Sequence, residues 1–149
     1  MIKYIIILSC FCFVGCNLHS GDKLEVYTYT VKNESGVPIK IIAHFNVRDG
    51  GHITYIKNKE EITKVFESSR HNYTFNNFFE ASKGGLGVTN SIKIIYNNEK
   101  YKVFDDSNPR DPRNPIGSYT ASIGDKLNKS FTFTEDDYLE AKDCKGDCE

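Results

Sequence analysis

The chain has 149 residues, with 19 basic and 20 acidic side chains and a formal net charge of −1. So even a balance excludes the long-range field that draws proteins to nucleic acid, and no nucleic-acid partner is expected. Hydrophobic residues make up 39% and aromatic residues 13%, enough apolar surface for one core, which excludes a wholly disordered chain.

Lys3 is the only charge before Asp22. An unbroken run follows it from Tyr4 to Val14 that is apolar apart from Ser9, and the small residue Gly15 then precedes Cys16. A basic start, a short apolar core and a small residue form the layout of a secretory signal. The run is about half the 20 or so residues that a spanning helix needs, so it does not anchor the chain by itself.

Phe13-Val14-Gly15-Cys16 resembles the lipobox of bacterial lipoproteins, with Phe13 in place of the usual Leu. The chemistry needs a thiolate nucleophile to take the diacylglycerol, and a residue as small as Gly15 for close approach of the peptidase. The resemblance implies a mature Cys16 carrying three acyl chains, which together hold firmly where one chain holds marginally. The plainer alternative is an ordinary signal peptide cut near Gly15, leaving Cys16 free. Residues 1–15 are therefore predicted as a signal peptide and 16–23 as the lipid-attached tether. Asn17 to Lys23 is polar and aperiodic and reaches at most about 25 Å. No acidic run follows Cys16, and the expected location is the outer membrane, facing the periplasm.

Residues 24–142 read as strands and turns. Glu25 to Lys32 alternates, with Tyr27, Tyr29 and Val31 on one face. Asn33-Glu34-Ser35-Gly36 reads as a turn, and Pro38 to Asn46 alternates again, so the two segments are expected to form a hairpin. Further strands are predicted around Ile53 and Tyr55, from Ile62 to Glu67, and from Ser91 to Tyr96 with Ile92, Ile94 and Tyr96 facing in. Asn97 to Lys100 turns that strand into Tyr101 to Phe104, and Phe131 and Phe133 mark a last strand. Tyr73 to Phe79 is aromatic and reads as a strand or extended edge. Asp105 to Pro115 is a loop, because its prolines forbid regular pairing. Thr134 followed by Glu135, Asp136 and Asp137 is a helix start: a capping hydroxyl, then carboxylates at the positive end of the dipole. The expected fold is all-β, an antiparallel immunoglobulin-like sandwich with a short C-terminal helix, followed by a Cys-containing tail at 143–149.

These segments together resemble small uncharacterised lipoproteins of the Bacteroidetes and flavobacteria. The resemblance is carried by the signal ending in Cys16, by Val31 to Ile41, by Ser91 to Tyr96, by Asn114 to Tyr119, and by the ending Phe131 to Tyr138. It implies compartment and fold and transfers no catalytic residue.

Cys144 and Cys148 are the cysteines left over from the signal and Cys16, an even count that suits a disulfide in an oxidising compartment. A metal or redox site is the alternative, although zinc wants four ligands and no His neighbours the pair. His44, His52 and His71 fit no metal spacing, and Asp105, Asp106, Asn108 and Asp111 lack the order of a calcium loop. Neither metal nor cofactor is expected. Gly117-Ser118-Tyr119 is not a nucleophile elbow, and Gly84 to Gly87 is not a phosphate loop. With no catalytic set assembled, the leading expectation is a non-catalytic envelope module that binds a protein or glycan. Phe78, Phe79, Arg110 and Arg113 are its candidate surface, the aromatics counting only where the fold leaves them exposed. The alternatives are a cell-wall or metal-dependent hydrolase, which needs the His and Asp residues to converge, and a small-ligand carrier, which needs an open apolar cavity between sheets.

Overall fold

The computed structural model describes residues 24–45, 48–68, 75–79, 89–105, 107–117, 120 and 125–148. The predicted signal and tether, with Cys16, lie outside these residues, as do His71, Tyr73, Gly84 to Gly87, Asp106 and Ser118. The described chain is all-β apart from one short α-helix and one 3-10 turn. In chain order its elements are β1 (Glu25–Glu34), β2 (Ile39–Phe45), β3 (Arg48–Ile56), β4 (Glu61–Ser68), a 3-10 helix (Phe75–Phe79), β5 (Thr89–Tyr96), β6 (Lys100–Asp105), β7 (Asn128–Thr134), α1 (Glu135–Leu139) and β8 (Lys142–Asp143).

The strands form two sheets, one ordered β4-β1-β7 and one ordered β3-β2-β5-β6-β8. Each pairing is antiparallel except β1 with β7, which is parallel. The inner faces share one hydrophobic cluster. Tyr27, Tyr29 and Val31 alternate into it from β1, and Ile39, Ile41 and Ala43 do so from β2. Ile92, Ile94 and Tyr96 of β5 are also buried there, as their alternation predicts.

The expected β1–β2 hairpin does not form. β1 pairs with β4 and β7, while β2 pairs with β3 and β5 in the other sheet. The link between them is an arch. Asn33 is fully buried and turns the chain: its amide donates to the carbonyls of Val37 (2.8 Å) and Ile56 (3.0 Å). Its side-chain oxygen accepts from the Ser35 N–H (3.1 Å) and hydroxyl (2.7 Å). A second crossing, at Lys57 to Glu60, carries β3 into β4 beside the first. The Asn33 N–H donates to the Glu60 carbonyl (2.9 Å), and the Lys59 N–H to the Asn33 carbonyl (2.7 Å). Period-two alternation is the same for strands paired edge to edge and for strands stacked face to face, so the arch was invisible to pattern.

Tyr73 to Phe79 is corrected as well. The described part is the 3-10 helix, and it is a plug, not an edge. Phe75 sits within ring contact of Tyr29 (5.5 Å), Phe78 (5.8 Å) and Phe131 (6.4 Å). Phe78 and Phe79 are only 1% and 2% exposed, so they contribute burial, worth about 1.5–3 kcal/mol each, and no docking surface. Among the described residues, these rings belong to the hydrophobic cluster between the two sheets.

The turn between β5 and β6 forms as expected. Asn97 and Asn98 take φ of 47° and 58°, a left-handed conformation that Asn tolerates better than most residues. Thr134 is the N-cap of α1, also as expected.

Candidate binding face

The outer face of the five-stranded sheet is built by strand register. Antiparallel partners point to the same face. One row runs Tyr55, Lys40, Ile95, Tyr101, Lys142 from β3 to β8. The next row runs Ile53, Ile42, Lys93, Val103. Tyr55 is 67% exposed, and Ile53 and Val103 about half exposed, so large apolar side chains face outward from both β3 and β6.

Ile95 points the same way and is nevertheless 2% exposed. The C-terminal segment lies against this face. Cys144 and Cys148 are joined as a disulfide with Cα atoms 5.2 Å apart, and Gly146, at φ 128°, makes the reversal between them. The Cys144 N–H donates to the Glu99 carbonyl (2.8 Å), and the Lys93 ammonium to the Cys148 carbonyl. Lys93 also stands 5.3 Å from the Tyr101 ring centre, within cation–π range.

The segment divides the face into two grooves. One, about 760 Å³, is lined by Lys93, Tyr101, Val103 and the disulfide loop itself. The other, about 530 Å³, lies toward β3 and is lined by Pro38, Ile39, Lys40, Tyr55, Ile95, Asn97, Asn98 and Asp147.

A second polar centre lies at the start of α1. The carboxylate of Asp137, 2% exposed, accepts from the Thr134 N–H (2.8 Å) and hydroxyl (3.1 Å) and from both Nε (3.2 Å) and Nη2 of Arg113. The Lys102 ammonium is 3.6 Å away. Burial pushes the Asp137 pKa up, but the Arg113 and Thr134 hydrogen bonds and the neighbouring positive charges outweigh it and hold the group below its ordinary value. Arg113 further donates to the Thr132 carbonyl (2.9 Å) and stacks over Phe131 at 4.9 Å. Arg113 is thus a brace between the proline-rich loop and β7–α1, although its side chain is still 40% exposed. Arg110 remains exposed on that loop. Tyr96 places a buried hydroxyl beside this centre, with no hydrogen-bond partner among the described residues. Burial and then Asp137 raise its pKa, against the lowering effect of Arg113.

The remaining sequence candidates separate. His44 is exposed on the outer face, whereas His52 pairs with the inward-pointing Ala43 and lies on the opposite face. Burial, then the Lys64 charge, lowers the His52 pKa. Two ligands on opposite faces of one sheet cannot share an ion, which removes a metal centre containing both. Among the described residues, no group of three or more His, Cys, Asp or Glu is placed to hold a metal. Asp105 and Asp111 cap local turns, accepting from the Ser107 N–H (2.9 Å) and the Arg113 N–H (2.7 Å). Asn114, 2% exposed, organises the loop by donating to the carbonyls of Asp105 (2.7 Å) and Asn108 (3.2 Å).

Sequence reasoning did not single out Tyr55, Lys40 or Asp147 as site residues. No local motif marks them, because they meet only through strand register and the return of the tail. Comparison with protein-family models, curated proteins and solved structures finds no match to this chain.

Proposed function

We propose that the chain is a lipid-anchored protein of the bacterial cell envelope that works as a non-catalytic binding module. It is tethered through Cys16 to the outer membrane on the periplasmic side, and it presents the outer face of the five-stranded sheet to a protein or glycan. The observation that carries the reading is that Tyr55 and Ile53 of β3 and Val103 of β6, all on the outer face of the five-stranded sheet, are left exposed. The two-sheet body is read as an immunoglobulin-like sandwich, supported by short strands separated by Asn- and Gly-containing turns.

β1 enters at Glu25, just after the tether, and its far end meets the two arches. The Asn97 turn joins that same end, through a hydrogen bond from the Asn97 N–H to the Pro38 carbonyl (2.9 Å). A ten-residue strand spans roughly 30 Å, so the Tyr55 groove stands off from a membrane at the tether.

Two experiments test the reading. The mature N-terminus is measured by mass in cells expressing the wild-type chain or Cys16→Ser. An acylated Cys16 in the first, with loss of acylation and membrane partitioning in the second, is expected. An unmodified Cys16 overturns the anchor. Cross-linking in intact cells with wild type and Tyr55→Ser then tests the face: recovery of the same partners at the same yield from both overturns its role.

A further inference from the structure

We infer that one corner of the three-stranded sheet, carrying Leu24, Val26 and Val65, lies on the lipid surface itself. The inference rests on the anchored reading and deepens it, because it names a second contact with the same membrane.

The corner is set by register. Tyr27, Tyr29 and Val31 of β1 point into the core, so Val26, Thr28 and Thr30 point away from it. Val26 stands opposite Glu67 of β4, and Thr28 opposite Val65, so Val26 and Val65 are diagonal neighbours on the outer face. They are 49% and 52% exposed, and Leu24, at 62%, precedes Val26 by two positions. Farther along, the same face becomes polar. It continues through Thr28, Thr30 and Thr63 and reaches the Lys32–Glu61 ion pair (3.0 Å). Among the described residues, the exposed apolar side chains of this sheet therefore gather at the end where the chain enters.

That position selects the occupant. Leu24 directly follows the tether, whose seven residues after Cys16 reach at most about 25 Å. A lipid on Cys16 keeps the corner within that reach of the bilayer. A short tether also turns the second contact into an intramolecular one, at an effective concentration of about millimolar, so a small apolar patch suffices. The opposite end of the molecule has no such restraint. β7 runs parallel to β1 and ends at Thr134, opposite Glu34, and α1 follows with the exposed Leu139. Glu67 is exposed beside Val26 and repels anionic headgroups, so the fitting surface is a zwitterionic bilayer.

The contact orients the domain. The two sheets share one core, so their outer faces point apart. With the Val26 corner against lipid, the outer face carrying Tyr55 is turned away from the membrane.

The chain contains no Trp, so a single introduced indole reports without background. The full chain is expressed with its own leader, purified from a detergent extract of whole cells and reconstituted into phosphatidylcholine vesicles, with or without bromine on the acyl chains. Val65→Trp is compared with Leu139→Trp, which carries the same ring at the far end and so shares any intrinsic affinity of indole for lipid. An interfacial ring enters about 5–10 Å into the headgroup and acyl boundary, so Val65→Trp should lose about half or more of its emission to bromine, and Leu139→Trp almost none. Val26→Trp, read the same way, repeats the test from the central strand. Adding Leu24→Ser and Val26→Ser to Val65→Trp should bring its quenching down to the Leu139→Trp level while the chain still floats with the vesicles; undiminished quenching overturns the role of the corner. A chain that floats, with Val65→Trp quenched no more than Leu139→Trp, overturns this inference alone and leaves the anchor standing. Emission from Val65→Trp that is blue-shifted yet unquenched has the same meaning, since a second copy or the tether then covers the corner. A chain that does not float overturns the anchored reading and this inference with it.

Discussion

Asp137→Ala is the most informative stability variant. The wild-type carboxylate is nearly fully buried and joins three elements: it accepts from Thr134 at the start of α1, from Arg113 in the proline-rich loop, and faces Lys102 on β6. Removing it leaves the Thr134 N–H uncapped, a loss of about 1 kcal/mol. It also breaks a charge-assisted pair, and breaking a buried pair costs about 3–5 kcal/mol. That figure must be reduced here, because the Arg113 side chain is 40% exposed and recovers water when its partner is gone. A net loss of about 2–4 kcal/mol follows, or a fall in Tm of roughly 10 °C for a domain of this size.

The pH dependence gives the decisive control. Asp137 has a pKa below its unfolded value, so its contribution is fully present above about pH 3.9 and is lost as pH falls through the lower folded value. Urea denaturation of wild type and Asp137→Ala should therefore differ at pH 7 and converge as the solution is acidified past that point. Asp137→Asn should fail to rescue, since its NH₂ group would be turned against the donors of Arg113 or Thr134. A difference below about 0.5 kcal/mol at pH 7, or a gap between the curves that persists at the lowest pH at which both fold, refutes this account.

Other variants probe the remaining joints. Asn33→Asp places a carboxylate against the carbonyls of Val37 and Ile56, and should lower stability by about 3 kcal/mol in urea titrations; a neutral result would mean that the arch does not depend on that amide. Tyr96→Phe removes a buried hydroxyl without a partner, so the urea midpoint should hold or rise by the equivalent of about 1 kcal/mol, and a clear fall would contradict its orphaned state. Gly117→Ala drives a Cβ to 2.7 Å from the Pro109 carbonyl oxygen, and should cost about 1–3 kcal/mol by calorimetry. Cys144→Ser with Cys148→Ser should cost at most about 2 kcal/mol, because the closed loop is short, while hydrogen exchange accelerates from Lys142 to Cys148; unchanged exchange there would show that the bond does not hold the tail.

Residue pattern alone carried the all-β class, most strand positions, the Asn97 turn and the Thr134 helix start, and it favoured a Cys144–Cys148 disulfide over a metal or redox pair. Each follows from short-range physics: side-chain alternation, left-handed tolerance, a cap with its carboxylates, and two thiols four positions apart. Pairing between sheets is not a local property. The segments on either side of Asn33 alternate identically whether they lie edge to edge or face to face, and only the buried hydrogen bonds of Asn33 and Ser35 select the arch. Burial is likewise a tertiary outcome. Phe78 and Phe79 were chemically fit for a surface until the space between the sheets claimed them, and Arg113 was a loop cation until α1 brought Asp137 to it. The Tyr55 groove is the extreme case. Its walls come from β3 and from a tail some ninety positions later, so what decides the site is which strands lie side by side and where the disulfide returns the chain.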